Sequence, residues 1–210
     1  MKKTILFLLV VAFTGFRATG QSQAETFIKE AQDYLLKKEY KQAQLSLQDA
    51  INDINLLIAQ QVAESLPAEI GALKAEGDPE INNGGMGMIG GGVQITKRYA
   101  NEAASQQNAE VQIIGNSPML SAMNMYLTNP GMLGPGYKSV RVGTNRAILK
   151  TDIQESDDNG TAQKIRSTEI QIPLGQTLIT VRTNGFATEQ DELAFVNQLG
   201  LEKVRTALGE

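Results

Sequence analysis

The chain has 210 residues, with 19 lysines and arginines against 23 aspartates and glutamates, and no cysteine, histidine or tryptophan. An acidic balance leaves no electrostatic footprint for nucleic acid or for an anionic lipid surface. Without imidazole or thiol there can be no Ser-His-Asp triad, no Cys-His pair, no imidazole general base and none of the usual zinc ligand sets.

Lys2 and Lys3 precede the uncharged run Thr4 to Phe13, and small residues follow at Ala18-Thr19-Gly20. A basic start, a short apolar run and a small-residue exit are the pattern of a secretory signal peptide over 1–20. The run is shorter than the roughly 20 apolar residues that span a bilayer, so no transmembrane segment is expected in the mature chain. Cleavage is expected after Gly20 or Ala24, in a periplasmic or secreted protein. Loss of 1–20 takes the basic count from 19 to 16 against 23 acids, and the formal charge from −4 to −7. With no thiol available, packing alone must hold such an exported chain together.

Residues 25–66 read as a helical hairpin. Phe27, Ile28, Ala31, Tyr34 and Leu35 share one face of a first helix, and Lys37-Lys38-Glu39 makes a polar corner. A second helix carries Tyr40, Ala43, Leu47, Ala50, Ile51, Ile54, Leu57, Ile58 and Val62 at steps of three and four, and Pro67 ends it. Ala31, Tyr34-Leu35, Glu39-Tyr40, Ala43 and Ala50 give this stretch a resemblance to one tetratricopeptide-type hairpin. No second copy follows, and such repeats need about three units for stability, so one amphipathic hairpin is expected. Its stripe through Leu47, Ile51, Ile54 and Ile58 is the candidate partner-binding surface.

Residues 67–92 hold Pro67, Gly71, Gly77, Pro79 and six further glycines, and read as a linker or long loop without regular elements. Strand-like alternation then dominates 93–210. It appears at Val93 and Ile95, at Val111 and Ile113, at Val140 and Val142, in Ala147-Ile148-Leu149, at Ile170 and Ile172, and in Leu178 to Val181. Turns are expected at Gly143-Thr144-Asn145 and Leu174-Gly175-Gln176, and a hairpin at Asp157 to Gly160. Ser117-Pro118 opens a helix running to about Leu127. Thr188 to Asp191 is a capping box, with Asp for the usual Glu, before a closing helix.

The fold class is therefore α+β: a helical hairpin followed by an antiparallel sheet of about six strands with two or three packed helices. The carrying features Val140 to Gly143, Ala147 to Leu149, Leu178 to Val181 and Glu192 to Val196 resemble the α/β-sandwich of PsbP-like exported proteins. The whole order is also similar to uncharacterised exported bacterial proteins that join a helical hairpin to a Gly/Met-rich loop and such a domain. The resemblance implies the fold and transfers no catalytic residue.

Three motifs invite chemistry. Gly85-Met86-Gly87-Met88-Ile89-Gly90 matches G-x-G-x-x-G, but neither the preceding strand nor the following helix of a dinucleotide fingerprint is expected. Glu155, Asp157 and Asn159 sit at the spacing of a calcium loop, whose closing carboxylate position falls on Arg166. Met86, Met88, Met119 and Met123 are the candidate lining of a site for a hydrophobic ligand or Cu(I). On a helix Met119 and Met123 lie about 40° apart and Met125 roughly 160° from Met123, so at most two share an ion. Carboxylate pairs among Glu102, Glu110, Asp152, Glu155 and Glu169 leave a hydrolase as a further alternative.

The residues thus read as an exported, non-catalytic binding or scaffolding protein of the cell envelope. Its expected partner is another envelope protein or a hydrophobic ligand, with no cofactor, no metal site and no nucleic acid.

Overall fold

The computed structural model describes residues 22–83, 93–158 and 161–209. The chain divides into two compact units at Ile51/Asn52.

The described residues of the first unit are the first helix of the helical hairpin and the N-terminal part of the second. Helix α1 (Gln23–Leu36) ends in a Schellman motif. Lys38 takes the left-handed conformation (φ 63°). Glu39 N donates to Tyr34 O at 2.9 Å and Lys38 N to Leu35 O at 3.0 Å. Helix α2 (Tyr40–Ser65) starts at once and runs through the unit boundary. Among the described residues of the first unit, those buried are all small: Ala24, Ala31, Ala43, Ser46 and Ala50.

The second unit is built on a sheet of nine described strands, all paired antiparallel. They are β1 (Glu69–Ile70), β2 (Leu73–Ala75), β3 (Glu80–Asn83), β4 (Val93–Ala100), β5 (Asn108–Gly115), β6 (Tyr137–Val142), β7 (Asn145–Asp158), β8 (Thr161–Leu174) and β9 (Thr177–Asn184). The order is β1-β2-β4-β5-β9-β8-β7-β6, with β3 also pairing β4. The sheet is larger than the six strands expected, chiefly because 67–83 contributes three short ones. Pro67, Gly71, Gly77 and Pro79 punctuate these strands instead of excluding them. Gly71 and Gly77 adopt positive φ in the turns, and Ile70 and Leu73 are buried. Residues 84–92, with the G-x-G-x-x-G run, lie outside the described residues, as do 1–21.

One face of the sheet is apolar. Ile95, Tyr99, Val111, Ile113, Leu149, Ile170, Ile172, Ile179 and Val181 alternate inward beneath the C-terminal half of α2, helix α4 (Glu189–Gln198) and helix α5 (Leu201–Leu208). The capping box forms: Asp191 N donates to Thr188 Oγ1 at 3.2 Å, and Thr188 N to Asp191 Oδ2 at 3.1 Å. On the other face, helix α3 (Leu120–Thr128) sets Met123 and Leu127 on Ile148 and Leu178. The helix starts slightly later than Ser117-Pro118 suggests. Ser117 Oγ still accepts from Met119 N at 3.4 Å.

Gly185 closes the core at one end of β9. Its φ is +70°, and a Cβ there would fall 2.4 Å from the backbone oxygen of Gln106. No side chain fits without moving a backbone, so only glycine serves.

Candidate functional site

A cleft of about 530 Å³ opens among the described residues of the second unit. Its floor is Ala59 and Val62 of α2 with Ile95 of β4 and Ile113 of β5. Ile58, Val93 and Leu208 form its walls. Asn55, Asn116, Gln176 and Thr177 surround it with carboxamides and a hydroxyl, and among the described residues no charged side chain lines it. The register explains the polarity. Gly115 pairs with Thr177 at the sheet end where β5 stops and the Gly175-Gln176 turn joins β8 to β9. The apolar floor lies further along the same strands. A mostly apolar pocket with a few convergent polar groups is the usual form of a small-molecule site.

The α2 wall is fixed at its far end by β4. Lys97 and Tyr99 fall on the core-facing side of that strand with Ile95. Lys97 Nζ donates to Leu66 O at 3.0 Å and Tyr99 OH to Pro67 O at 2.9 Å. Both groups thus satisfy carbonyls where α2 ends, and the ammonium suits the negative end of the helix dipole. Burial pushes the Lys97 ammonium below its ordinary range, with Asp78 partly opposing. Lys97 also lines a second hollow of about 450 Å³, with Glu64 and Asp78.

Burial raises the Tyr99 hydroxyl above its ordinary value of 10.0. Its contribution to stability is therefore whole below pH 10, where folded and unfolded hydroxyls both keep their proton. Above that the unfolded chain ionises first, and the contribution is lost as pH climbs toward the folded value. The lysine works the other way, gaining stability as pH rises toward 10.5. Tyr99→Phe isolates the hydroxyl. Urea titrations should show it about 0.5–1.5 kcal/mol less stable than the parent at pH 8. The deficit should shrink at pH 11; a constant deficit would contradict the assignment.

The opposite sheet face carries a charge ladder in register. Arg98 bonds Glu80 at 2.7 Å and Glu110 at 3.2 Å; Arg182 bonds Glu110 at 3.2 Å and Glu169 at 2.9 Å. Lys150 stands opposite Glu169, pairs with Asp152 at 2.7 Å, and lies 5.6 Å over the Tyr137 ring. Of the acids considered for hydrolysis, Glu110 and Glu169 share one arginine, Asp152 holds a lysine, and Glu102 meets Lys74 at 3.3 Å. Such exposed pairs contribute little each and chiefly set strand register. Among the described residues no three acids gather as a metal cage. Arg166, at the closing position of the calcium-loop spacing, instead bonds Glu192 at 2.9 Å.

The sequence-derived candidates separate. Leu47, Ile51 and Ile54 remain 44, 50 and 41% exposed. Ile58 is half-buried, packs on the core and lines the cleft. Met123 is buried in the small α3 cluster while Met119 is exposed, and neither lines a cleft described above. Met86 and Met88 lie outside the described residues. What sequence reasoning missed is the cleft itself and Lys97. The alternation Val93, Ile95, Lys97, Tyr99 carries the lysine inward and could have revealed it.

No family model matches the chain, and no curated protein does. Among solved structures, it is similar to a crystal structure from Bacteroides thetaiotaomicron at 10% identity and a TM-score of 0.38, covering 60% of this chain and 43% of that one. The chain thus spans less than half the length of that neighbour. A protein from Chromobacterium violaceum matches at 14% identity and a TM-score of 0.23, over 74% of this chain and 85% of that one. Among the described residues no helix is long and apolar enough to cross a membrane.

Proposed function

We propose that this chain is an exported, non-catalytic binding or scaffolding protein of the cell envelope, which holds an apolar helix of a second envelope protein. One observation carries the reading: the apolar side chains Leu47, Ile51 and Ile54 of α2 are uncovered. They follow steps of four and three, the heptad spacing that seats a partner helix, whereas Ile58, the next residue of the stripe, packs on the core. The flanking residues Gln44, Gln48 and Asn52 are uncharged, so apolar contact dominates the face. Export rests on the signal-peptide pattern of residues 1–20. The resemblance to exported proteins with a helical hairpin and an α/β-sandwich accords with it.

The test uses the double variant Leu47→Glu/Ile51→Glu. These are exposed positions, so its urea midpoint should stay close to that of the parent. A protein captured from envelope extract, once purified, should bind it at least tenfold more weakly, a loss of about 1.4 kcal/mol. Unchanged affinity would reject the surface. A parent that sediments as a dimer broken by the same variant would replace the second protein with a second copy of this chain. Recovery from the cytosol with residues 1–20 attached would reject export.

A further inference from the structure

We infer that the cleft beneath α2 and α5 is a binding site for an uncharged single-chain amphiphile: one alkyl or acyl chain with a hydroxyl- or amide-bearing head. This inference is independent of the helix-docking surface, because none of Leu47, Ile51 and Ile54 lines the cleft.

Three properties select the ligand. The volume of about 530 Å³ is that of a small-molecule site and too small for a folded partner element. The floor of Ala59, Val62, Ile95 and Ile113 offers only carbon, so the inserted part must be apolar. The surrounding polar groups, Asn55, Asn116, Gln176 and Thr177, are neutral. Carboxamides donate and accept, and match a hydroxyl or amide head. A carboxylate or ammonium head would be partly desolvated with no counter-charge among the described lining residues, which disfavours fatty acids and cationic amphiphiles.

The sheet leaves this space open by using glycine. Gly115 continues the inward series Ala109, Val111, Ile113, yet has no side chain to fill the position. A Cβ there would meet only the Val93 carbonyl oxygen, at 4.0 Å. The gap is therefore not forced by backbone crowding, and a larger residue has room to enter it.

The experiment is fluorescence titration of the full chain with the uncharged probe N-phenyl-1-naphthylamine, followed by displacement with monodecanoylglycerol or decanoate below their micellar concentrations. The site predicts saturable enhancement at one probe per chain. Displacement by the neutral glyceride should be at least tenfold more effective than by decanoate. Gly115→Leu fills the cleft from the sheet side and should weaken probe binding at least tenfold. Val93→Phe closes it from the wall and guards against a folding defect in the first variant, with circular dichroism and urea midpoints recorded for both. Leu47→Glu/Ile51→Glu should leave the titration unchanged. No saturable binding, equal displacement by decanoate, or normal binding by folded Gly115→Leu and Val93→Phe would each overturn the site. Loss of binding only in the Leu47→Glu/Ile51→Glu protein would move the probe to the exposed helix face and overturn it equally.

Discussion

Replacing Arg166 by alanine should destabilise the second unit by about 3–5 kcal/mol, the cost of leaving a buried charge without its partner. Glu192 has no exposed surface. Both its oxygens are held by one guanidinium: Arg166 Nε donates to Oε1 at 2.9 Å and an Nη to Oε2 at 3.1 Å. The same Nη donates to Thr151 Oγ1 at 3.1 Å, and that hydroxyl lies 3.0 Å from Thr168 Oγ1. The pair therefore ties α4 to β7 and β8. Glu192→Ala should cost less than Arg166→Ala, because the arginine left behind is partly exposed and reaches water. Arg166→Met/Glu192→Leu should recover most of the loss, since an apolar pair of similar volume avoids the desolvation of both ions. Urea unfolding of the three variants decides it. A loss under about 1 kcal/mol for Arg166→Ala, or a double variant worse than either single, would show that the bidentate pair is not what holds α4 here.

Which parts of this fold were legible in the sequence follows from the length of each pattern. The closing helix was readable from four residues, because the Thr188 and Asp191 side chains and backbones reciprocate at fixed spacing. The turn at Gly143 and that at Gly175 were readable because two-residue hairpins need positive φ. By contrast β1 and β2 have two and three residues, too few for any period to show, and their neighbours are the glycines and prolines that signal a loop. The outer halves of β7 and β8 were readable only from the hairpin signal at Asp157 to Gly160, because the sequence from Lys150 to Glu169 is mostly polar and apolar alternation stops there.

The site divides the same way. The α2 stripe is a local repeat, visible in sequence, and Leu47, Ile51 and Ile54 are indeed uncovered. The cleft is not local. Its floor joins residues from α2, β4 and β5, and its polar groups belong to turns that meet only through register. A single stripe drawn over the whole length of the helix also assigns Ile58 to the exposed face, although it packs on the core. The methionines divide: Met86 and Met88 lie outside the described residues. Met119 and Met123 are near each other in sequence, but the α3 cluster takes one and leaves the other in solvent.

Phe195→Ala is the second large effect, at about 3–5 kcal/mol for removing a fully packed ring. Phe195 sits on α4 at the centre of an aromatic trio. Its ring meets Tyr99 edge-on at 5.5 Å and 81°, and Phe186 at 5.8 Å and 72°. Transfer of the ring and the cavity left behind supply most of the cost, and edge-to-face pairing adds about 0.5–1.5 kcal/mol per pair. Phe195→Leu should therefore lose much less than alanine, because it retains most of the buried carbon and forfeits chiefly the ring geometry. A cycle of Phe195→Leu with Phe186→Leu should return a coupling of about 0.5–1.5 kcal/mol, and zero coupling would reduce the trio to simple burial. Tyr99 makes the consequence reach the cleft. Its hydroxyl holds the Pro67 carbonyl just past the end of α2, so a ring loosened by the loss of Phe195 loosens that anchor. Amide exchange at the C-terminal end of α2 should accelerate in Phe195→Ala beyond what its global destabilisation accounts for, while the β6–β7 edge should follow the global value. Uniform acceleration across the unit would separate the aromatic trio from the cleft wall.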